Sequence, residues 1–215
     1  MGLEASSLCT SPQIDGGFPV KERPEHGDAE LEERVVLDWW DVRTLRSVLS
    51  AEDIELIHAA GLEMRQRLSH PTPQRWEKLY MHSNGFLEQT CPEIWERLLA
   101  TLRKQYTGER HLGVRCCEYH TYCVGAGLTD PDHNDMGSVL TMSCLLSEPK
   151  DVDGGVFVTF DHAGAPPVHH NTLGRGDAVV IPSEMLHNVT NVIRGVRNSL
   201  VIELWEGADN KHNRI

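Results

Sequence analysis

His133 and Asp135 stand one residue apart, with Asn134 between them. In an extended chain that spacing puts two side chains on the same face. An imidazole and a carboxylate presented side by side can hold a divalent metal. A second imidazole from elsewhere would complete a two-histidine, one-carboxylate face, the arrangement that binds non-haem iron(II) and leaves its other positions open. The triplet alone is a weak signal, because His26-Gly27-Asp28 repeats it near the N-terminus. Context separates the two. His133 comes shortly after a β-prone run that ends on the turn Gly125-Ala126-Gly127, and another β run starts at Ser138, just after Gly137. His26 has neither.

Four histidines downstream could supply the second imidazole. His162, His169 and His170 fall in HAGAPPVHHNT, which reads as a loop. His187 follows the turn and strand-like run Gly174-Arg175-Gly176-Asp177-Ala178-Val179-Val180-Ile181-Pro182 and opens another β run. A ligand on a strand end is held rigidly, as a metal site requires, so His187 is the expected third ligand. Ten positions later stands Arg197, with Ser199 on the same strand face and apolar Val196, Leu200, Val201 and Ile202 around them. A guanidinium binds a carboxylate through two parallel hydrogen bonds, and the serine hydroxyl can add a third. A dicarboxylate could reach from the metal to this arginine. Tyr122, upstream of His133, is either a further donor to the distal carboxylate or a packed core tyrosine.

The elements that must hold these groups fall into two textures. Ser50-Ala51-Glu52-Asp53 resembles a capping box, and Ile54, Ile57, Gly61, Met64 and Leu68 follow at helical spacing, predicting a helix over about 50–69. Thr90 and Glu93 flank a second helix start with Pro92 in its first turn, and Ile94, Trp95, Leu98, Leu99 and Leu102 form its apolar face. Residues 70–90 between the helices read as an aromatic loop. From about 112 the chain changes to short β-prone runs separated by Gly, Pro, Asn and Asp, which argues for a sandwich or barrel. Residues 1–34 read as a mobile tail, and 35–215 as one domain with helices over about 50–105 and a β core over about 112–206.

Composition limits the function further. The net charge of −12 opposes a polyanion and makes nucleic acid an unfavourable partner. No apolar run reaches the about 20 residues that span a bilayer. No secretory signal is expected from the first residues, and Met1-Gly2-Leu3-Glu4-Ala5-Ser6 fits the pattern for myristoylation of Gly2. Cys9, Cys91, Cys116, Cys117, Cys123 and Cys144 contain no CxxC pair, and the adjacent Cys116 and Cys117 point to opposite faces of a strand. Reduced thiols and a cytoplasmic location are expected.

From about Cys116 to Trp205 the chain resembles the 2-oxoglutarate/iron(II) dioxygenase superfamily, in the branch of the prolyl and lysyl hydroxylases. The resemblance rests on an ordered set: Tyr122, Gly125, His133-x-Asp135, Gly137-Ser138-x-x-Thr141, Leu145 or Leu146, Gly154-Gly155, Gly176-Asp177, His187, Val189 and Gly195-x-Arg197-x-Ser199. It implies a double-stranded β-helix, or jelly roll, with the N-terminal helices packed on one sheet. Along the last strand Leu200, Ile202 and Leu204 would point outward while Arg197 and Ser199 face the cavity.

The resemblance also implies roles. His133, Asp135 and His187 would bind Fe(II). Arg197 and Ser199 would hold the C5 carboxylate of 2-oxoglutarate with help from Tyr122. O₂ would be the second co-substrate and ascorbate a supporting reductant. Collagen-type prolyl hydroxylases carry Lys where Arg197 stands, which leaves the substrate open. Related halogenases lack the carboxylate that Asp135 supplies, which favours hydroxylation. The expected reaction is hydroxylation of an unactivated C–H bond, such as a prolyl or lysyl side chain of a protein. Alternatives are a free amino acid or other small metabolite as substrate, or a non-catalytic jelly-roll metal-binding module. The segments 70–90, with Trp76, Tyr80 and Phe86, and 161–174 are expected to shape the substrate pocket.

Overall fold

The computed structural model describes residues 41–69 and 75–212. The tail expected over 1–34, the His26-Gly27-Asp28 triplet, Cys9 and the Gly2 pattern lie outside the described residues.

Helix α1 spans Ala51–Arg67 and starts as its sequence dictates. The Asp53 N–H donates to Ser50 Oγ at 3.1 Å, and the Ser50 N–H donates to Asp53 Oδ2 at 2.8 Å, closing the capping box. Ile54, Ile57, Gly61 and Met64 form its buried stripe, while Leu68 is half exposed at the C-cap. A short α2 covers Phe86–Thr90 and α3 covers Pro92–Arg103. Thr90 closes α2, donating its hydroxyl to Phe86 O, rather than opening α3. Pro92 sits at the start of α3, where its missing N–H costs nothing. Ile94, Trp95, Leu98, Leu99 and Leu102 are all buried.

The strands are β1 (Arg43–Leu45), β2 (Trp76–Tyr80), β3 (Gly113–Tyr122), β4 (Leu140–Leu145), β5 (Asp153–Gly154), β6 (Phe157–Phe160), β7 (Val168–His169), β8 (Ala178–Pro182), β9 (Leu186–Val189), β10 (Val192–Arg194) and β11 (Arg197–Trp205). Six of them form one antiparallel sheet in the order β1-β8-β4-β11-β3-β2. A three-stranded sheet runs β7-β6-β9, and β5 pairs with β10. Two expected loops are therefore corrected. Residues 70–90 include the edge strand β2 and the helix α2, and residues 161–174 include β7. The large sheet accordingly begins before residue 112. β1 and β2 escaped notice because a three- or five-residue edge strand has too few alternations to show a period.

The faces of the large sheet differ in chemistry. On one, Leu200, Ile202 and Leu204 of β11 join Cys117 and Tyr119 of β3, Met142 and Cys144 of β4, and the apolar stripes of α1 and α3 in one buried core. Arg65 and Glu77, both buried, add an ion pair there between α1 and β2, with Nε to Oε2 at 2.8 Å. The opposite face of the sheet carries Arg197, Ser199 and Glu203 of β11, and Tyr122, His120, Glu118 and Cys116 of β3. It also carries Leu145, Ser143 and Thr141 of β4, all alternating with the apolar set. A second core of Tyr122, Val179, Ile181, Phe157, Leu173, Val189 and Val192 packs beside this polar interior. The alternation foreseen for Leu200, Ile202 and Leu204 against Arg197 and Ser199 is the one observed. Among the described residues no helix is long and apolar enough to cross a membrane.

Candidate metal and carboxylate site

His133 and Asp135 lie in the loop between β3 and β4, not on a strand as the spacing suggested. Two backbone bonds nevertheless hold them as if in a ladder. The Asp135 N–H donates to Ser183 O at 2.7 Å, and the His187 N–H donates to His133 O at 3.1 Å. These rungs tie the loop to the turn after β8 and to β9, so His133, Asp135 and His187 share one side. Their ligand atoms all lie within 4.8 Å of one another. His133 Nε2 stands 3.7 Å from Asp135 Oδ1, and His187 Nε2 stands 3.5 Å from Asp135 Oδ2. Those separations are longer than good hydrogen bonds and short enough for one ion to touch all three.

The surroundings fix the donor atoms. His187 Nδ1 is 2.9 Å from Met185 O. A carbonyl only accepts, so Nδ1 carries the hydrogen and Nε2 presents its lone pair toward Asp135, the tautomer metal binding requires. Thr141 donates its hydroxyl to Asp135 Oδ2 at 2.7 Å, and the Ser183 hydroxyl, 2.9 Å from Thr141 Oγ1, is left to donate to it. Thr141 and Ser183 thus orient the carboxylate, a role that no local pattern assigns to them.

Arg197 is 3% exposed. Its Nη1 donates to Ser199 Oγ at 2.8 Å, and its Nε has no hydrogen-bond partner. None of the described ion pairs involves it. Burial pushes its pKa down, and the neighbouring Tyr122 offsets this in part. A desolvated guanidinium with spare donors calls for an anion. It lines a cavity of about 290 Å³ with Leu145, Gly155, Phe157, His170 and Leu173. Phe157 also stacks on His187, with ring centroids 5.6 Å apart, so the cavity wall and the candidate ligand cluster share a side chain. Tyr122 pairs with Arg197 across β3 and β11, is 1% exposed, and stacks on Trp76 at 6.1 Å. Burial raises its phenol to about 12, against the opposing charge of Arg197.

The remaining candidates separate. His162 and His169 are exposed, while His170 lines the Arg197 cavity with Nε2 3.0 Å from Thr159 Oγ1. The segment 161–174 therefore contributes His170, Asn171 and Leu173 to that cavity. Trp76, Tyr80 and Phe86 line a different hollow of about 860 Å³ along β2, whose walls include none of the cluster residues nor Arg197. A second ligating group, Cys116, Glu118 and Glu203, is fully buried on the polar interior face. The sequence hid it because its members come from two strands that only pairing brings together.

The fold is thus a jelly roll, with three side chains that could hold a metal ion and a cationic pocket beside them. In fold, a 2OG-Fe(II) oxygenase-family oxidoreductase from Burkholderia pseudomallei matches with a TM-score of 0.58 over 80% of this chain and 87% of its own, at 15% identity. A prolyl hydroxylase from Trichoplax adhaerens, solved with a hypoxia-inducible-factor peptide fragment, matches with a TM-score of 0.55 over 77% of this chain and 83% of its own, at 14% identity. In sequence, a PKHD-type hydroxylase of Phenylobacterium zucineum is 45% identical over 60 residues, 28% of this chain and 25% of that protein. The PKHD-type hydroxylase YbiX of Escherichia coli is 39% identical over 79 residues, 37% of this chain and 34% of its own length. The matches thus span about a quarter to a third of the curated relatives. No protein-family model matches the chain. The sequence matches are to hydroxylases and the fold matches to 2OG-Fe(II) oxygenases, a prolyl hydroxylase among them.

Proposed function

We propose that this chain hydroxylates an unactivated C–H bond, using Fe(II), 2-oxoglutarate and O₂. The observation that carries the reading is the buried Arg197 guanidinium, its Nε unpartnered, in a cavity whose wall Phe157 also packs on His187. The donor set fits the metal: two imidazoles and one carboxylate suit iron(II) and leave positions for co-substrate and O₂. His133, Asp135 and His187 would hold the ion. Arg197 and Ser199 would grip the distal carboxylate of 2-oxoglutarate, with Tyr122 adding a hydrogen bond. When bound, the iron supplies the oxidising chemistry, in which 2-oxoglutarate leaves as succinate and CO₂.

The residues do the positioning. Met185 O sets the His187 tautomer, Thr141 and Ser183 set the Asp135 rotamer, and Leu145, Val152, Phe157 and Leu173 keep the cavity wall apolar. A protein side chain such as proline or lysine is the favoured substrate, in keeping with the PKHD-type hydroxylases and the peptide-bound Trichoplax neighbour. The five described cysteines are free and four of them buried, which suits a reducing, cytoplasmic setting.

The test is succinate release from 2-oxoglutarate by the chain with Fe(II) and ascorbate, followed by mass spectrometry of candidate peptides for the gain of one oxygen. Turnover without added peptide supports the reaction class. Folded, iron-loaded chain that releases no succinate would instead be a metal-binding module.

A further inference from the structure

The proton of Tyr122 has two possible destinations. Its phenol oxygen lies 3.0 Å from Nδ1 of His120, two residues back on the same face of β3. The two rings stack with centroids 5.7 Å apart. The other nitrogen, Nε2, lies 2.8 Å from Glu118 Oε2, and Glu118 Oε1 lies 3.6 Å from Lys78 Nζ on β2. Tyr122, His120 and Glu118 are all buried, so this row of groups runs inside the jelly roll. It starts beside Arg197, because Tyr122 is that residue's partner in the sheet.

A carboxylate beside an ammonium group only accepts, so His120 donates its Nε2 hydrogen to Glu118. What remains is Nδ1. In a neutral ring it is a lone pair and must accept the phenol hydrogen, which then points at His120. In the imidazolium it carries a hydrogen, donates to the phenol oxygen, and frees the phenol hydrogen for another acceptor. Burial keeps Tyr122 itself protonated, its pKa pushed up to about 12. Among the described residues, the charged or titratable groups facing His120 are Lys78 of β2, Glu118 and Tyr122 of its own strand, and Arg197 of β11.

We propose that His120, held by Glu118, is a positioning residue for the co-substrate: when a dicarboxylate enters the Arg197 pocket, His120 takes up a proton from solvent and turns the Tyr122 hydroxyl toward the distal carboxylate. The proposal rests on the 2-oxoglutarate pocket described above. The proton adds one positive charge beside the incoming dianion, and no bond other than N–H is made or broken.

The experiment is calorimetric titration of the full chain, loaded with Mn(II), with 2-oxoglutarate near pH 7.5 in two buffers of different ionisation enthalpy. The wild-type chain should take up about one proton per 2-oxoglutarate bound. Tyr122→Phe and His120→Gln should take up none and bind about tenfold more weakly, the loss expected for one hydrogen bond to a charged group. The double variant should be no weaker than either single one, because both act through the same hydroxyl. Additive losses in the double variant, or wild-type binding with no proton uptake, overturn the proposal. Should a variant fail to fold, the wild-type proton count decides alone. Binding that depends on Arg197 but takes up no proton sinks this proposal and spares the pocket. Absence of binding by the wild-type chain sinks both.

Discussion

Phe157 stacks on the imidazole of His187 at 5.6 Å, with 28° between the planes, while also lining the cavity that Arg197 faces. One buried ring therefore joins the His133–Asp135–His187 cluster to the Arg197 cavity. A ligand held by Arg197 would meet the wall that fixes the His187 imidazole.

The carboxylate of the cluster depends on Thr141. Removing its hydroxyl in Thr141→Val keeps the volume but leaves Asp135 Oδ2 without its 2.7 Å donor. Iron or manganese affinity should fall roughly 10- to 100-fold, measured by metal titration, and the thermal midpoint should drop by some degrees as a buried acceptor loses its donor. His133→Ala and His187→Ala should abolish stoichiometric binding, read as metal content after dialysis.

As the proposed carboxylate clamp, Arg197 would serve function at a cost to stability. Arg197→Met removes a buried charge that none of the described carboxylates pairs with and fills most of the same space. Apparent KM for 2-oxoglutarate should rise at least tenfold, while the unfolding free energy stays level or rises by about 1 kcal/mol. Urea titration checks the second half. In the wild type, 2-oxoglutarate should raise the unfolding midpoint, and in this variant it should not.

Gly155 is the floor on which the guanidinium stem lies. Its φ is +61°, and a Cβ there would stand 2.8 Å from Arg197 Cδ and 3.1 Å from Val192 Cγ2. Gly155→Ala should shift the arginine, raising KM for 2-oxoglutarate on the order of tenfold. It should also cost about 1–3 kcal/mol through strain and overpacking. An unchanged KM would show that the arginine tolerates the extra methyl.

Asp177 supplies an acid-sensitive anchor. Burial raises its pKa, but donation from the Ser47 and Gly174 N–H groups and from Arg46 overcomes this and leaves it below the ordinary value. A depressed carboxyl binds its proton more weakly in the folded state. Its stabilisation is therefore complete above the unfolded pKa of about 3.9 and is lost as pH falls through the folded value. Asp177→Asn should cost about 1–3 kcal/mol at neutral pH and flatten the decline in stability below about pH 4. Acid titration followed by circular dichroism compares the two chains.

Several features were legible along the chain because they are local. The capping box at Ser50 and Asp53 needs four consecutive residues, and α1 follows it as predicted. The period of two in Arg197, Ser199, Leu200, Ile202 and Leu204 announces which residues face the cavity and which face the helices. The strands β1, β2 and β7 were not legible: each is short, lies on a sheet edge, and owes its conformation to a partner far away in sequence. The row Tyr122–His120–Glu118 was half visible, since three alternate residues share a face, but nothing local says that Lys78 lies opposite.

By itself, the sequence determined the residue types and their order: an imidazole and a carboxylate two apart, a later imidazole, and an arginine beyond it on a strand with a two-residue period. Side-chain chemistry and backbone periodicity are carried by neighbours in the chain, so they survive reading in one dimension. Only the tertiary structure decided that His133 and Asp135 act from a loop held by Ser183 and His187, that Thr141 orients the carboxylate, and that Arg197 has no carboxylate to pair with among the described residues. Those facts depend on which distant groups come within about 3 Å of one another, and strand pairing, not sequence proximity, sets that distance.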